Sequence, residues 1–507
     1  MYIKIKTATV VILLSGLMAS SCSKFLDVNE DPNRVTDDNI TPELLFTQAA
    51  EATGARQVHP DFRPIENWLG HWSASNTFAL LQDETTYNIT TTFSNIWANH
   101  YNVLFDLHLA SKKAAAKNEP VLAAAADILS VKLWQDLVDV YNNIPYSQAF
   151  KNDEYSQPAY DNGKSVYDSL QLKLDAAIAS LRSAGTAPSS FANADIVAAG
   201  NLTKWIKYAN TLKLRLLIHQ SQLSGFNSTT EIAKINSNGV GFLQEGESVN
   251  VNPGYSNDIN KQSPFYANYG YTPTATPAST STAPNAYFVN ILKSSSDTNR
   301  LKRFFSIPGR TATSENPTGA AATAIVGTSY GNSNAAGQPN TETVFGPGLA
   351  RSADQDQWIF TSVESMFLQT EAMARGWIPG DAAAMYRRSV KESFAWLRAD
   401  TTTFSNYLNT AIANWANSGS DEASRVKFIL FQKYIALTGI DVMEVWSDYR
   451  RVNFFPNTNY LSNNPGRISN TIPIRLLYPQ TEYVSNNANV TGQGTINQFT
   501  SKIFWQP

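Results

Sequence analysis

The sequence predicts a mostly α-helical protein made of stacked helix hairpins, together with a loop-rich portion that carries minor β structure. The clearest observation is the stretch VKFILFQKYIALTGIDVMEVWSDYRR at 426–451, in which apolar residues recur at helical spacing in each half. Gly439 stands between the halves and can adopt the left-handed conformation of a tight corner. Similar apolar-striped segments recur along the chain, whereas the helical pattern largely disappears between 236 and 355. Because a helix pair cannot bury its own stripes, neighbouring pairs must stack on it.

Composition narrows the classes of function. The chain has 507 residues, a formal net charge of −3 and a pI near 6.0. Such a charge argues against a protein that is held to nucleic acid by its overall charge. Only 16% of the residues are charged, while 11 Trp, 22 Tyr and 25 Phe make the chain rich in rings. A surface poor in charge and rich in Asn, Ser and Thr suits an extracytoplasmic protein.

The start of the chain predicts secretion and lipidation. Two lysines precede an apolar run at 8–18 and small residues follow, which is the pattern of a signal peptide over residues 1–21. The run is shorter than the roughly 20 apolar residues of a membrane span. Cys22 is the only cysteine, so a disulfide within the chain is impossible. A lone cysteine after small residues resembles the lipobox of bacterial lipoproteins, although Ala19 replaces the usual leucine; the alternative is a free thiol in a removed leader.

The elements of the scaffold follow in order. Residues 22–40 are polar and predict a tether, and Thr41-Pro42-Glu43 carries a cap, a first-turn proline and an acidic residue, which open a helix. Residues 67–92 are aromatic and irregular and predict a loop-rich excursion. Helical spacing then predicts helices at 93–116, 122–140, 160–181, 202–222, 358–377 and 381–397. Small residues at close-packing positions, such as Ala372, are typical of tetratricopeptide-like hairpins.

The region 236–355 predicts a folded, loop-rich subdomain, because a structureless loop of this length is unusual in a compact domain. Its rings lie among Pro, Asn, Gly, Ser and Thr, with possible short strands and one helix near 287–293. The scaffold is therefore predicted in two parts, 41–235 and 356–507, with a docked C-terminal segment in the second.

Motifs for catalysis are weak. The pattern G-x-S-x-G occurs at 327–331, but a hydrolase of that type needs a histidine further on, and the last histidine is His219. The histidines form no metal-binding motif, and no phosphate or dinucleotide fingerprint occurs, so no metal and no cofactor are predicted. Asp83 and Glu84 are a pair of carboxylates in an aromatic loop. Neighbouring residues of an extended segment point apart, which favours a solvated turn over a catalytic pair.

Exposed aromatic residues are the predicted ligand-binding groups. A sugar ring has an apolar face that stacks on Trp or Tyr and a rim of hydroxyls that suits Asn, Asp or Arg. Two stretches offer this mixture, and the candidates are Trp68, Trp72, Asn76, Phe78 and Tyr87 in the first and Tyr266, Asn268, Tyr269 and Tyr271 in the second. The alternative for each ring is that it packs its loop onto the scaffold.

Five separated segments carry a family resemblance. They are LWQDLVDVYNNIPYSQAF at 133–150, KWIKYANTLKLRLLIH at 204–219, SVESMFLQTEAMARGW at 362–377, FQKYIALTGIDVMEVWSDYRR at 431–451 and IPIRLLYPQTEYVSNNANV at 472–490. With Cys22 and in this order, they resemble the SusD/RagB family of nutrient-binding outer-membrane lipoproteins, in its SusD-like branch.

The resemblance implies architecture and a role. It implies a tetratricopeptide-like scaffold whose loop-rich portion helps to form the ligand surface, in a lipoprotein on the outer face of the outer membrane. It also implies capture of a nutrient, most often an oligosaccharide, for a SusC-like TonB-dependent barrel, with no catalysis. Alternatives are a peptide or another nutrient as ligand, a surface glycan hydrolase, and a lid that touches no ligand. The motif residues Asp448, Arg450 and Arg451, and Arg475, Tyr478 and Glu482 later, are expected to be structural.

Overall fold

The computed structural model describes residues 40–75, 78, 81–306, 310, 324–331, 345–402 and 404–507. The predicted signal peptide, the tether up to residue 39 with Cys22, and the candidate Asn76 lie outside the described residues. Within them the fold is mostly helical with few strands, as predicted.

The first part of the chain forms a series of packed helices. They are α1 (Pro42–Gln57), α2 (Arg63–Trp68), α3 (Gln82–Thr86), α4 (Ile96–Ala116), α5 (Pro120–Tyr141), α6 (Gly163–Ala184), α7 (Ser189–Ala194), α8 (Leu202–His219) and α9 (Thr229–Ser237). The Thr41 hydroxyl accepts a hydrogen bond from the Leu44 N–H at 3.3 Å, so the predicted cap of α1 is confirmed. α5 lies between α4 and α6 and is buried almost along its whole length.

The second part completes the helical body. Its helices are α10 (Pro264–Tyr269), α11 (Ala286–Ser294), α12 (Thr298–Phe304), α13 (Ser362–Ala374), α14 (Ala382–Trp396), α15 (Phe404–Tyr407), α16 (Glu422–Ala436), α17 (Val442–Arg451), α18 (Gln480–Ser485) and α19 (Asn487–Thr491). Short 3₁₀ turns lie at Pro60–Phe62, Gln220–Gln222 and Trp415–Asn417. α10 and α12 were not predicted, because each is shorter than two turns and gives little periodicity.

Gly439 forms the predicted corner between α16 and α17. Its φ is +69°, in the left-handed region that favours glycine. A Cβ at this position would lie 2.9 Å from Leu349 Cδ1 and 3.2 Å from Trp72 Cζ2. The corner therefore needs glycine both for its backbone and for the close approach of its neighbours.

Four short strands form two antiparallel ribbons in the described part of the chain. The strands are β1 (Trp72–Ala74), β2 (Val249–Val251), β3 (Thr282–Pro284) and β4 (Gln357–Phe360). β1 pairs with β3, with Trp72 opposite Pro284, and β2 pairs with β4, with Val251 opposite Gln357. The first ribbon joins the 67–92 excursion to the loop-rich portion, and the second joins the beginning of that portion to the scaffold that follows it.

The helix predicted from 358 is wrong at its start. Residues Gln357–Phe360 form β4, and the Thr361 hydroxyl then caps α13 by accepting a hydrogen bond from the Glu364 N–H at 3.2 Å. The apolar run WIF at 358–360 is too short for periodicity to distinguish strand from helix. Pairing with the distant β2 decides its conformation.

The core of the scaffold holds an unusual number of paired charges, which we call the buried charge network. Its members are Lys132, Asp136, Arg215, His219, Glu364, Glu371, Lys433, Asp441, Glu444, Asp448 and Arg451. Arg215 Nε lies 2.6 Å from Glu444 Oε2, and Arg451 binds both oxygens of Glu371 at 2.7 and 2.8 Å. Burial of an ion is costly unless it is paired and hydrogen-bonded, so these contacts fix how α5, α8, α13, α16 and α17 pack.

The C-terminal segment docks on the end of α5. Tyr478 Oη donates to the carbonyl of Asn143 at 2.8 Å, and Arg475 donates to the carbonyl of Tyr141. Glu482 accepts a hydrogen bond from Tyr160 Oη at 2.7 Å. These contacts are structural, as expected, and Arg451 is structural as well, since it pairs with Glu371 of α13.

Candidate ligand-binding site

The structure buries most of the predicted ligand-binding rings. Six of them are exposed by 5% or less, namely Trp68, Trp72, Tyr87, Tyr266, Tyr269 and Tyr271. Phe78 is 44% exposed and Asn268 is half-buried. The expectation of an exposed aromatic surface is therefore wrong for these six rings, whereas their role in ligand binding stays a prediction.

The two aromatic stretches do meet, but inside the protein. Trp72 lies with its ring centroid 5.3 Å from that of Tyr269 and 4.8 Å from that of Phe345, and Tyr269 lies 5.1 Å from Phe345. The pairing of β1 with β3 brings the stretches together. Packed rings of this kind bury a large apolar area, so they hold the loop-rich portion against the scaffold.

Trp68 and Tyr87 belong to a second internal cluster. The Trp68 ring stacks on Phe93 with centroids 5.5 Å apart and lies 6.4 Å from Trp446 of α17. Its indole N–H donates to the Glu84 carbonyl at 3.1 Å. Tyr87 Oη accepts a hydrogen bond from the Ser462 N–H at 2.8 Å. Both rings thus connect the excursion to the helical body.

The remaining candidates lie at the edge of the loop-rich portion. Tyr271 Oη donates to the carbonyl of Arg310 at 3.0 Å, and the Arg310 guanidinium lies 5.6 Å from the Tyr271 ring centroid. The Tyr266 ring lies 6.4 Å from that of Tyr271. Asn268 donates from its amide to the Val58 carbonyl at 3.5 Å. A cavity beside Trp72 and Tyr269 encloses only about 20 Å³, which is room for a water molecule and not for a sugar.

The carboxylate pair in the first excursion is not a solvated turn, which corrects the sequence interpretation. Asp83 and Glu84 lie in α3, and Glu84 is buried with Oε1 accepting a hydrogen bond from Asn67 Nδ2 at 2.8 Å. Burial raises the pKa of Glu84 to about 7. Because Glu84 faces the interior, the two carboxylates do not share an open site.

An open cleft lies elsewhere, and sequence reasoning missed it. It has a volume of about 280 Å³ and is formed by β2, the turn that precedes β4, β4 itself and the end of α14. We call it the Trp396 cleft. Its lining residues are Asn250, Arg351, Ser352, Asp354, Gln355, Asp356, Trp358, Trp396 and Arg398.

Hydrogen bonds fix the positive wall of the Trp396 cleft. The Arg351 guanidinium lies 4.4 Å from the Trp396 ring centroid, and its Nη2 donates to the Trp396 carbonyl at 2.7 Å. Gln355 Oε1 accepts hydrogen bonds from the N–H groups of Arg351 at 2.7 Å and Ser352 at 3.2 Å. These hydrogen bonds hold the turn that forms this wall.

The floor and the negative wall are fixed as well. Trp358 donates from its indole N–H to the Ile440 carbonyl at 3.1 Å, which ties the cleft to the corner before α17. Asn252 Nδ2 donates to Asp356 Oδ1 at 2.9 Å and to the Asp354 carbonyl at 3.1 Å. The cleft thus combines tryptophan rings, carboxylates and guanidinium groups on a stable frame, which is the mixture that suits a polar, ring-shaped ligand.

A sequence signal for this cleft exists. The segment RSADQDQW at 351–358 places one Arg and two Asp directly before a Trp. It does not stand out in the sequence, because the rings of this cleft belong to β4 and to the last turn of α14 and not to an aromatic-rich loop. Only the fold brings Trp396 to the segment.

No group of three or more His, Cys, Asp or Glu side chains in the residues that the structure describes is arranged to hold a metal ion. No helix in the same part of the chain is both long and apolar enough to span a bilayer.

Known structures share this fold. A SusD homolog of Bacteroides fragilis is 20% identical and superposes with a TM-score of 0.71, covering 92% of this chain and 99% of its own. A SusD/RagB family protein of Bacteroides thetaiotaomicron is 17% identical with a TM-score of 0.72, covering 92% and 99%. A chitin-binding SusD homolog of Flavobacterium johnsoniae is 20% identical with a TM-score of 0.70, covering 91% and 98%.

The family assignment comes from the sequence itself. A search of the curated proteins found no significant match. The model of the SusD-like family described as "Starch-binding associating with outer membrane", in contrast, matches residues 32–479. Since that match covers most of the chain, the protein belongs to the SusD-like family of nutrient-binding proteins that associate with the outer membrane.

Proposed function

We propose that this protein is a lipid-anchored receptor on the outer face of the outer membrane, which captures an oligosaccharide and delivers it to a SusC-like TonB-dependent transporter. It is a binding protein and carries out no catalysis. Cys22 provides the lipid anchor, and acyl chains on it hold the protein at the membrane because each buried methylene contributes about 0.8 kcal/mol.

The observation that carries this proposal is the family match over residues 32–479. The Trp396 cleft supports it, since its walls are held by hydrogen bonds and offer positively and negatively charged side chains beside aromatic rings. The chitin-binding protein of F. johnsoniae with the same fold supports a glycan as the ligand class. The nine residues proposed from the sequence remain candidates for further contacts, with exposed Phe78 the most accessible of those described.

Binding and delivery are tested separately. The mature chain without its lipid is titrated with starch, chitin and other oligosaccharides by calorimetry, and we expect saturable binding to at least one of them. The titrated ligand is then analysed for shortened products, which would show a hydrolase and contradict the proposal. Failure of every saccharide to bind the isolated chain would contradict capture and favour a peptide ligand or a lid that touches no ligand.

Anchoring and partnership are tested in cells. We expect the Cys22→Ser variant to leave the outer-membrane fraction and the unchanged protein to copurify with a TonB-dependent barrel. A Cys22→Ser variant that stays in the membrane fraction would contradict the anchor, and copurification with no barrel would contradict delivery.

A further inference from the structure

The charged side chains of the Trp396 cleft form no ion pairs with one another. Arg351 and Arg398 line it together with Asp354 and Asp356. Among the residues that the structure describes, none of these four side chains forms an ion pair with an opposite charge, although other surface charges do so, such as Arg388 with Glu245 at 2.6 Å. These arginine and aspartate side chains are therefore available to bind a ligand.

The positive end gathers several guanidinium groups. Arg351 is held over Trp396, and its Nε donates to the Gly348 carbonyl at 2.9 Å. Arg398 follows α14 with a φ of +56°, and its side chain is exposed. Arg303 lies close behind, donating to the Leu397 carbonyl at 2.8 Å. Burial and the neighbouring charges of Arg398 and Arg303 outweigh the opposing charge of Asp356 and lower the pKa of Arg351 to about 10, so an anion placed here would relieve the repulsion.

The negative end offers acceptors for hydroxyl groups. Asp354 and Asp356 are exposed at the rim, and Asn252 holds Asp356 in place. Ionised carboxylates accept hydrogen bonds and donate none, so they suit the hydroxyls of a sugar. The volume of about 280 Å³ lies just below the range of roughly 300–1,000 Å³ usual for drug-sized ligands, which fits a single sugar residue.

We propose that the Trp396 cleft binds a hexuronate residue, with its carboxylate between Arg351 and Arg398 and its hydroxyls donating to Asp354 and Asp356. This inference rests on the proposed function in so far as the ligand is a saccharide. A neutral sugar would leave the guanidinium groups of Arg351 and Arg398 without an ion-pairing partner. A small inorganic anion would leave the acceptors of the two aspartates without donors. One face of Trp396 is covered by Arg351, so the ring positions the guanidinium.

The test compares ligands that differ in one group. The mature chain is titrated by calorimetry with galacturonate oligomers, with galactose oligomers of the same length, with glutamate and with sulfate. We expect the uronate oligomers to bind about tenfold or more tightly than the neutral ones, which is the gain from a charge-assisted hydrogen bond. We also expect this preference to decrease with added salt.

Variants locate the binding site. Arg398→Gln should weaken uronate binding about tenfold and leave galactose-oligomer binding unchanged, because only the anion contact is removed. Arg398→Lys should restore part of the affinity. Arg387→Gln is the matched control, since Arg387 is an exposed arginine of α14 about 13 Å along the same helix from Trp396. It should bind every ligand as the unchanged protein does.

The outcomes separate the two proposals. Equal affinity for charged and neutral oligomers, or uronate binding that Arg398→Gln leaves unchanged, overturns the inference while the proposed function stands. Tighter binding of glutamate or sulfate than of uronate also overturns it, by showing a site for amino acids or for simple anions. If no saccharide of any kind binds, the proposed function fails as well.

Discussion

Glu84 shows how one residue of the loop-rich excursion responds to pH. It is fully enclosed, and Trp68 and Tyr330 both donate hydrogen bonds to its carbonyl at 3.1 Å. Burial raises the pKa of its carboxyl from 4.5 to about 7, whereas in the unfolded chain it returns to the ordinary value. The folded state therefore binds the proton more tightly, and the free energy of unfolding falls as the pH rises from about 4.5 to about 7, by roughly 3 kcal/mol.

Replacing Glu84 with Gln tests this dependence. Glutamine keeps an oxygen for the amide of Asn67 but does not ionise. We expect the free energy of unfolding of the variant, relative to that of the unchanged protein, to rise by roughly 2–3 kcal/mol as the pH increases from about 5 to about 8. Urea denaturation at each pH measures this difference. A difference between the two proteins that stays constant with pH would contradict the buried titration.

Residue-level exposure was the part of the site that the sequence did not predict. Trp72 lies in a polar, irregular segment, which resembles an exposed binding loop. Its burial is decided by β3, by Tyr269 and by Phe345, all of them distant in the chain. Local composition carries no information on such contacts, so the sequence could not show that these rings face the interior.

At the scale of elements, the corner between α16 and α17 makes a sharp prediction. Gly439→Ala places a Cβ in a left-handed residue and 2.9 Å from Leu349 Cδ1. Gly376→Ala is the matched control, since its φ is +71° and nothing lies within 4 Å of the added Cβ. We expect backbone strain to lower the free energy of unfolding of the control by about 1–2 kcal/mol. For Gly439→Ala we expect a further decrease of about 1–3 kcal/mol from crowding.

Urea denaturation of both glycine variants measures the difference. The loss at Gly439 should exceed that at Gly376, because only the former has neighbours that must move. Equal losses would show that the corner tolerates the crowding and would contradict a close-packed junction between Trp72, Leu349 and the helix pair.

The helices were the elements that the sequence predicted best. α4, α5, α6 and α8 begin and end within a few residues of the predicted bounds, because each buries a long apolar stripe that repeats at helical spacing. β4 was predicted wrongly because a run of three apolar residues has no distinctive period. The Trp396 cleft was lost with it, since two of its walls are β4 and the turn that precedes it.

At the scale of the whole molecule, the buried charge network joins the helices that support the cleft. α13 follows β4 directly, and the indole of Trp358 donates to the Ile440 carbonyl, at the corner before α17. The sequence segments that resemble the family supply most of the charges of this network, including Arg215, Glu371 and Glu444. The sequence shows these charged residues at helical positions between apolar residues. It does not show which of them pair, because the partners are brought together only by the fold.

Glu444→Gln tests whether the network holds the scaffold together. Glu444 accepts hydrogen bonds from Arg215 at 2.6 Å and His219 at 2.8 Å and also pairs with Lys433. These cations keep the pKa of its carboxyl well below the ordinary value, and losing the charge leaves them undercompensated in the interior. We expect a loss of about 3–5 kcal/mol in the free energy of unfolding, measured by urea denaturation.

The control for this prediction is Glu245→Gln, which removes an exposed partner of Arg388 and should cost at most about 1 kcal/mol.

Since the network contributes no atom to the Trp396 cleft, Glu444→Gln should leave ligand affinity unchanged at temperatures where the variant is folded. Altered affinity in the folded variant would show that the network also sets the shape of the cleft. If Glu444→Gln and Glu245→Gln reduced the free energy of unfolding equally, the buried ion pairs of Glu444 would contribute no more than a surface pair. That result would mean that packing alone fixes the scaffold.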